Sequence, residues 1–229
     1  MAARLRDQER STGLTQGAFK HSWYIIIEGA IGVGKTTLAR MLREHFGTGL
    51  LLEVFEENPF LAKFYEARDL YAFQTQMFFL LSRYRQQQQV PHLLEKGALI
   101  SDYMFSKDWL FAQLNLAGDE WDIYQQLQAA LAGQVASPDL IVYLQADTDV
   151  LMGRISLRDR TYERTMDREY IEALRQSYEQ YFARQQDIPV LYIDTNQINF
   201  VANPTDFQYT VERIRNILRE GVFQQTLLL

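Results

Sequence analysis

Gly29-Ala30-Ile31-Gly32-Val33-Gly34-Lys35-Thr36 fits the pattern G-x-x-x-x-G-K-[ST] without a gap. The run before it, Trp23-Tyr24-Ile25-Ile26-Ile27-Glu28, is apolar and β-branched and reads as a buried strand. The run after it, Thr37 to Phe46, carries apolar residues at helical spacing. A strand, a glycine loop and a helix in that order make an anion cradle: the glycines allow close backbone approach, and the helix N-terminus offers free N–H groups and a positive dipole end. Gly29 through Thr37 form the expected nucleoside-triphosphate cradle. Lys35 has the reach for the β- and γ-phosphates, and the Thr36 hydroxyl is an expected Mg²⁺ ligand.

The remaining chain alternates in the same way. Gly49–Phe55, Ala98–Asp102, Asp139–Leu144 and Pro189–Asp194 read as further strands, with helical stretches over 60–90, 104–133, 147–184 and 208–220. The expectation is an α/β fold with a five-stranded parallel sheet flanked by helices. Residues 1–22 read as a polar N-terminal tail without the apolar centre of a secretory signal, and 23–229 as one domain. With 229 residues, two domains would be cramped. A net charge of −6 and a pI near 5.2 argue against broad nucleic-acid binding. No stretch is long and apolar enough for a membrane span, and the absence of cysteine suits a reducing cytoplasm. The Gln86–Gln89 tract reads as a solvated helix face, and His21, His45 and His92 as surface or structural residues.

Ligands of parallel sheets bind at the carboxyl ends of the strands. Glu53 lies at such an end and is the leading candidate base for an attacking hydroxyl; Asp102 lies at another and suits Mg²⁺ or its water shell. Arg154, Arg158, Arg160 and Arg164 form an arginine-rich stretch. Alone it reads as a salt-laced solvated helix face, because Asp159 and Glu163 are interleaved. Beside a phosphate loop it reads as a lid, over about 154–168, whose guanidinium groups grip phosphate oxygens. Gln76 and Arg83 are two helical turns apart, on one face of a largely apolar helix. A glutamine amide suits a nucleobase edge, and Asp108 is the expected partner of the arginine.

Together these pieces resemble the deoxynucleoside kinase family, especially its bacterial deoxyadenosine/deoxyguanosine kinase-like members. The resemblance spans most of the chain after residue 22. Leu52-Glu53-Val54-Phe55 falls where the family has a strand ending in Glu-Pro-Val, with Val54 in place of the proline, and Glu-Asn-Pro-Phe-Leu follows at 57–61. Gln76 with Leu81-Ser82-Arg83 resembles the base-reading helix, with Gln74 as a rival for the glutamine. The resemblance implies a P-loop kinase fold and transfer of the γ-phosphoryl group of ATP, with Mg²⁺ held by Thr36 and Asp102, to the 5′-hydroxyl of a deoxynucleoside. It gives Glu53 the role of base, and Lys35, Arg154, Arg158 and Arg160 charge neutralisation. Tyr65 and Glu163 would hold the sugar; Gln76, Arg83 and Asp108 would read the base, with Phe79, Phe111 and Phe105 as apolar walls. It further implies a homodimer formed through helices within 70–81 and 104–116, a salvage role, and a purine deoxynucleoside ahead of deoxycytidine. Residues 194–199 are the expected adenine-binding loop.

One departure stands out. Where the family often has Asp/Glu-Arg-Ser, this chain has Asp102-Tyr103-Met104, so the arginine's charge must come from Lys107 or the lid, or transfer is weakened. Two other readings share parts of the pattern. A thymidylate-type nucleoside monophosphate kinase would need more cations at the acceptor, and a non-catalytic subunit of the same fold is motivated by Tyr103. A GTPase is disfavoured, because neither D-x-x-G nor N-K-x-D stands in a suitable place.

Overall fold

A computed structural model describes residues 22–226; residues 1–21 of the expected tail, His21 among them, lie outside it. Five strands, β1 Tyr24–Glu28, β2 Gly49–Leu51, β3 Leu99–Ser101, β4 Leu140–Gln145 and β5 Val190–Asp194, form one sheet in the order β2-β3-β1-β4-β5. Every pairing is parallel. β1 is central because it is apolar on both faces: Ile25 pairs with Ile100 on one side and Leu140 on the other, and all five of its residues are buried. Burying each such side chain stabilises the fold by roughly 1.5–3 kcal/mol.

The helices are α1 Lys35–Phe46, α2 Leu61–Glu66, α3 Arg68–Gln87, α4 Val90–Glu95, α5 Lys107–Asn115, α6 Gly118–Ala132, α7 Thr148–Arg158, α8 Arg168–Arg184 and α9 Pro204–Thr226. α1 packs on β1, β2 and β3, while α8 lays Tyr178 and Phe182 over Tyr143 of β4. α5 is held between α3 and α8.

Three sequence expectations change. The stretch 104–133 is two helices, broken where Leu116 and Ala117 turn extended and Gly118 takes a φ of 55°. β2 is shorter than Gly49–Phe55. Side chains take the backbone bonds that a longer strand would have made: Gln86 Nε2 donates to the Leu52 carbonyl at 2.8 Å, and the Glu53 N–H donates to Asp102 Oδ1 at 2.8 Å. The glutamine tract is therefore not a solvated face throughout. Gln86 braces the loop that carries Glu53, and Gln87 is buried, its Nε2 donating to the Tyr24 hydroxyl at 3.4 Å.

The phosphate loop is locked to the sheet at its first glycine. Gly29 has a φ of 147°, and a Cβ there would lie 2.4 Å from the Leu144 carbonyl oxygen. Both the backbone angle and the close approach exclude a side chain. Gly29→Ala is expected to destabilise the protein by at least ~2 kcal/mol, read as a lowered midpoint in urea unfolding monitored by circular dichroism.

Candidate active site

The loop after β1 curls over the start of α1, with Gly32 and Gly34 also at positive φ. Lys35 folds back into it, donating to the carbonyls of Gly29 at 2.7 Å and Ala30 at 3.0 Å. Burial, and then the neighbouring Lys107 ammonium, pull the Lys35 pKa down to about 8. The Thr36 hydroxyl donates to Asp102 Oδ2 at 2.5 Å, just beyond the end of β3. Burial pushes the Asp102 carboxyl up, and the bond from Thr36 opposes that. Two hard oxygen donors beside a phosphate loop match the preference of Mg²⁺ for oxygen ligands.

Glu53 stands next to them. One of its oxygens accepts from Arg83, with Nε at 2.9 Å and a second contact from Nη2. The other accepts from Lys107 Nζ at 2.6 Å. Burial alone would raise this carboxyl, but the two cations prevail and hold it well below the usual carboxylate range. Arg83 is shared, because its Nη1 pairs with Asp108, which is wholly buried behind it.

A cavity of ≈ 770 Å³, counting its open mouth, runs from the phosphate loop past Glu53. Lys35, Thr36, Asp102, Glu53, Tyr65, Gln76, Phe79, Arg83, Phe111, Arg158, Arg160 and Glu163 of the expected set all line it. Gln76 is buried with its Oε1 unpartnered, whereas the rival Gln74 is exposed. Asp108 reaches the cavity only through Arg83. Phe105 corrects the expectation of an apolar wall: it is packed in the core at 5% exposure and does not line the cavity.

The arginines of the expected lid divide. Arg154 does not line this cavity; it donates to the carbonyls of Thr195 at 2.6 Å and Val33 at 3.3 Å, tying the phosphate loop to the segment after β5. Arg158 grips Glu163 with contacts of 2.6–3.0 Å, and Arg160 lies 3.6 Å from the same carboxylate. A second opening over the phosphate loop is lined by Gly32–Thr37, the three arginines and residues 198–201, which overlap the expected adenine loop at 198–199.

Several neighbours escaped the sequence reading. Tyr162 stacks on Tyr65 with ring centroids 6.0 Å apart, and Phe55 lies 4.3 Å beneath the Arg160 guanidinium. Phe55 lies in the Leu52–Phe55 stretch and Tyr162 among the arginines, but their partners, Arg160 and Tyr65, are distant in sequence. Lys107 could be found only as a stand-in cation for position 103. Tyr103 itself is fully buried, and burial pushes its hydroxyl pKa up.

A family model described as "Deoxynucleoside kinase" matches residues 25–219. A deoxyguanosine kinase of Bacillus subtilis (strain 168) is 35% identical over 201 residues, covering 85% of this chain and 97% of its own length. A deoxyadenosine/deoxycytidine kinase of the same strain is 26% identical over 205 residues, covering 86% and 94%. The fold matches a solved structure of deoxyadenosine kinase from M. mycoides with bound dATP, with a TM-score of 0.75 and 24% identity over 84% of this chain and 99% of that one.

Lys35 supplies a pH test of the loop. Its ammonium is charged below pH about 8 and neutral above, and an arriving phosphate anion restores the proton. Calorimetry of ATP binding at pH 8, in buffers of different ionisation enthalpy, is expected to show net proton uptake of up to about half a proton that Lys35→Met lacks.

Proposed function

The chain belongs to the deoxynucleoside kinase family and is a phosphotransferase acting on deoxynucleosides, and on that premise we propose its donor, its base and its acceptor contacts. The donor is ATP, and the acceptor atom is the 5′-hydroxyl. The observation that carries this reading is one cavity lined by the P-loop lysine, the Glu53 carboxylate and the buried amide of Gln76. A triphosphate on the glycine loop and a nucleoside against Gln76 would meet at Glu53.

Glu53 orients the hydroxyl and takes its proton as the oxygen bonds to the γ-phosphorus. Such transfers depend mainly on position and charge and ask little of the base's own strength. Lys35 donates to the phosphates instead of to its own loop carbonyls. Thr36 and Asp102 are the groups that would hold Mg²⁺, directly or through water. Bound there, Mg²⁺ neutralises phosphate charge. Arg158 and Arg160 neutralise the moving group, while Arg154 fixes the loop against the 195–198 segment. Tyr65 and Glu163 hold the sugar, and Arg83, steadied by Asp108, presents its donors to the base beside Gln76. A purine deoxynucleoside is preferred over deoxycytidine, in line with the deoxyguanosine kinase relative.

A nucleoside monophosphate kinase needs cations free for the acceptor's phosphate. Among the described residues of the acceptor end, Arg83 and Lys107 are held by Glu53, and Arg160 lies between Glu163 and Phe55. The non-catalytic reading rested on Tyr103, whose burial takes it out of the site.

The protein acts in the cytoplasm in nucleotide salvage, as a homodimer. No described helix is long and apolar enough to cross a membrane. The apolar surplus on α5 turns out to be core: Leu110 and Ala112 are buried. Leu81 of α3 and Ile123 and Leu127 of α6 remain 40–48% exposed, and they form the proposed dimer face.

An ATP-consumption assay with each deoxynucleoside, adenosine and thymidylate tests the reaction. Turnover with a purine deoxynucleoside is expected; turnover with thymidylate alone would refute the assignment. Glu53→Gln is expected to lower kcat by roughly 10²-fold or more while the nucleoside Kd changes far less, because its main contribution belongs to the transition state. Equal losses in the two would remove Glu53 from the role of base. Light scattering is expected to give twice the chain mass, and Leu81→Glu with Ile123→Glu to give the monomer.

A further inference from the structure

Lys107 is in an unfavourable place for a lysine. It occupies the first position of α5, at the positive end of the helix dipole, and its side chain is only 6% exposed. A buried ammonium needs a partner, and among the described residues the one carboxylate ion-paired with it is Glu53 at 2.6 Å. Arg83, the other cation on Glu53, is differently placed, because Asp108 holds it whatever Glu53 does. The next residue of α5 is Asp108, so consecutive positions serve Glu53 and Arg83 separately. Lys107 also lines the cavity together with Lys35, Thr36 and Asp102, and its charge is felt at Lys35. Two ammonium groups at one cavity repel until an anion enters between them.

We infer that Lys107 is a positioning residue for Glu53 and a second cation for the moving phosphoryl group: it aims the carboxylate at the acceptor hydroxyl, then turns to the phosphoryl oxygens when the carboxylate is protonated. The inference rests on the proposed reaction. In that step the 5′ oxygen bonds to the γ-phosphorus and the bond from that phosphorus to the β-phosphate oxygen breaks. The electron pair leaves on ADP, and the hydroxyl proton goes to Glu53. Lys107 keeps its protons throughout. Once Glu53 is neutral it no longer holds the ammonium by charge, so the cation is released as negative charge builds on the transferring group.

The test uses the full chain with ATP, Mg²⁺ and deoxyguanosine. Lys107→Met keeps an unbranched side chain of similar length and removes the ammonium, which lies 5.5 Å from the centre of the Phe111 ring. It is expected to lower kcat by about 10²-fold while the calorimetric Kd for the nucleoside stays within about threefold; Lys107→Arg is expected to recover at least tenfold of that loss. A kcat within about fivefold of the parent, a Kd that rises in step with the loss of turnover, or no rescue by arginine would each overturn the inference while leaving the kinase reading intact. A parent chain inert toward every deoxynucleoside would overturn both. Should Lys107→Met not fold, ¹⁵N-lysine spectra of the parent decide. The Lys107 resonance, assigned by its loss in Lys107→Arg, must shift when ADP, aluminium fluoride and deoxyguanosine are added together; an unmoved resonance overturns the inference.

Discussion

The site depends on a carboxylate that takes no part in the chemistry. Glu28, the last residue of β1, is wholly buried. One oxygen accepts from the Gly29 N–H at 2.8 Å and the Tyr178 hydroxyl at 3.0 Å; the other accepts from the Met104 N–H at 2.9 Å. Those three donors belong to the phosphate loop, to α8 and to the segment between Asp102 and Lys107. Burial raises the Glu28 carboxyl pKa, against the pull of the Lys107 and Lys35 cations. An unpaired buried carboxylate would be costly, so the bonds that satisfy it also fix the geometry. The phosphate loop cannot shift relative to the Asp102 segment without leaving a Glu28 oxygen short of a donor.

From that anchor, charge is arranged in pairs. Thr36 holds Asp102, Asp102 holds the Glu53 backbone, and Glu53 collects Arg83 and Lys107. Each charged group on the acceptor side already has a partner, and Lys35 borrows two loop carbonyls. A substrate therefore exchanges partners within a nearly closed network. Preorganised groups of this kind act on a transition state without the reorganisation that water would require.

Much of this was legible in the sequence because it is local. The glycine loop, the five strands and the two-turn spacing of Gln76 and Arg83 each lie within one element, where periodicity speaks directly. Gln76 is preferred over Gln74 by burial alone, which the spacing to Arg83 already favoured. What the sequence hid are partnerships across the fold. Gln86 reads as part of a polar tract until its contact with the Glu53 loop, 34 residues earlier, is seen. Phe105 and Phe111 look alike on paper, yet one faces the core and the other the cavity, because α5 begins at Lys107 and not at residue 104. The departure at Tyr103 was visible, but its consequence was not. A tyrosine next to Asp102 looks like a lost cation, whereas the chain turns that residue into the core and brings in a lysine from the first turn of the following helix.

The same partner logic governs the lid. Three arginines in one short stretch suggest three equal hands on a phosphate. Arg154 is instead bound to backbone carbonyls of the phosphate loop and of the segment after β5, Arg158 is matched with Glu163, and Arg160 rests on Phe55 with Glu163 nearby. Glu163 thus competes with phosphate for two of the three guanidinium groups. The competition is graded by exposure: Arg158 and Arg160 are about one-third exposed, while Glu163 is nearly buried. In the proposed complex a phosphate on the glycine loop would meet the more exposed arginines before the buried carboxylate. It must draw them from Glu163, and a released Glu163 has to find a new donor. The nucleoside sugar, lying between Glu163 and Tyr65 in the proposed complex, offers a hydroxyl for that purpose. Lid capture by the donor and sugar capture by the acceptor would then be two halves of one exchange, which favours phosphoryl transfer only when both substrates are in place.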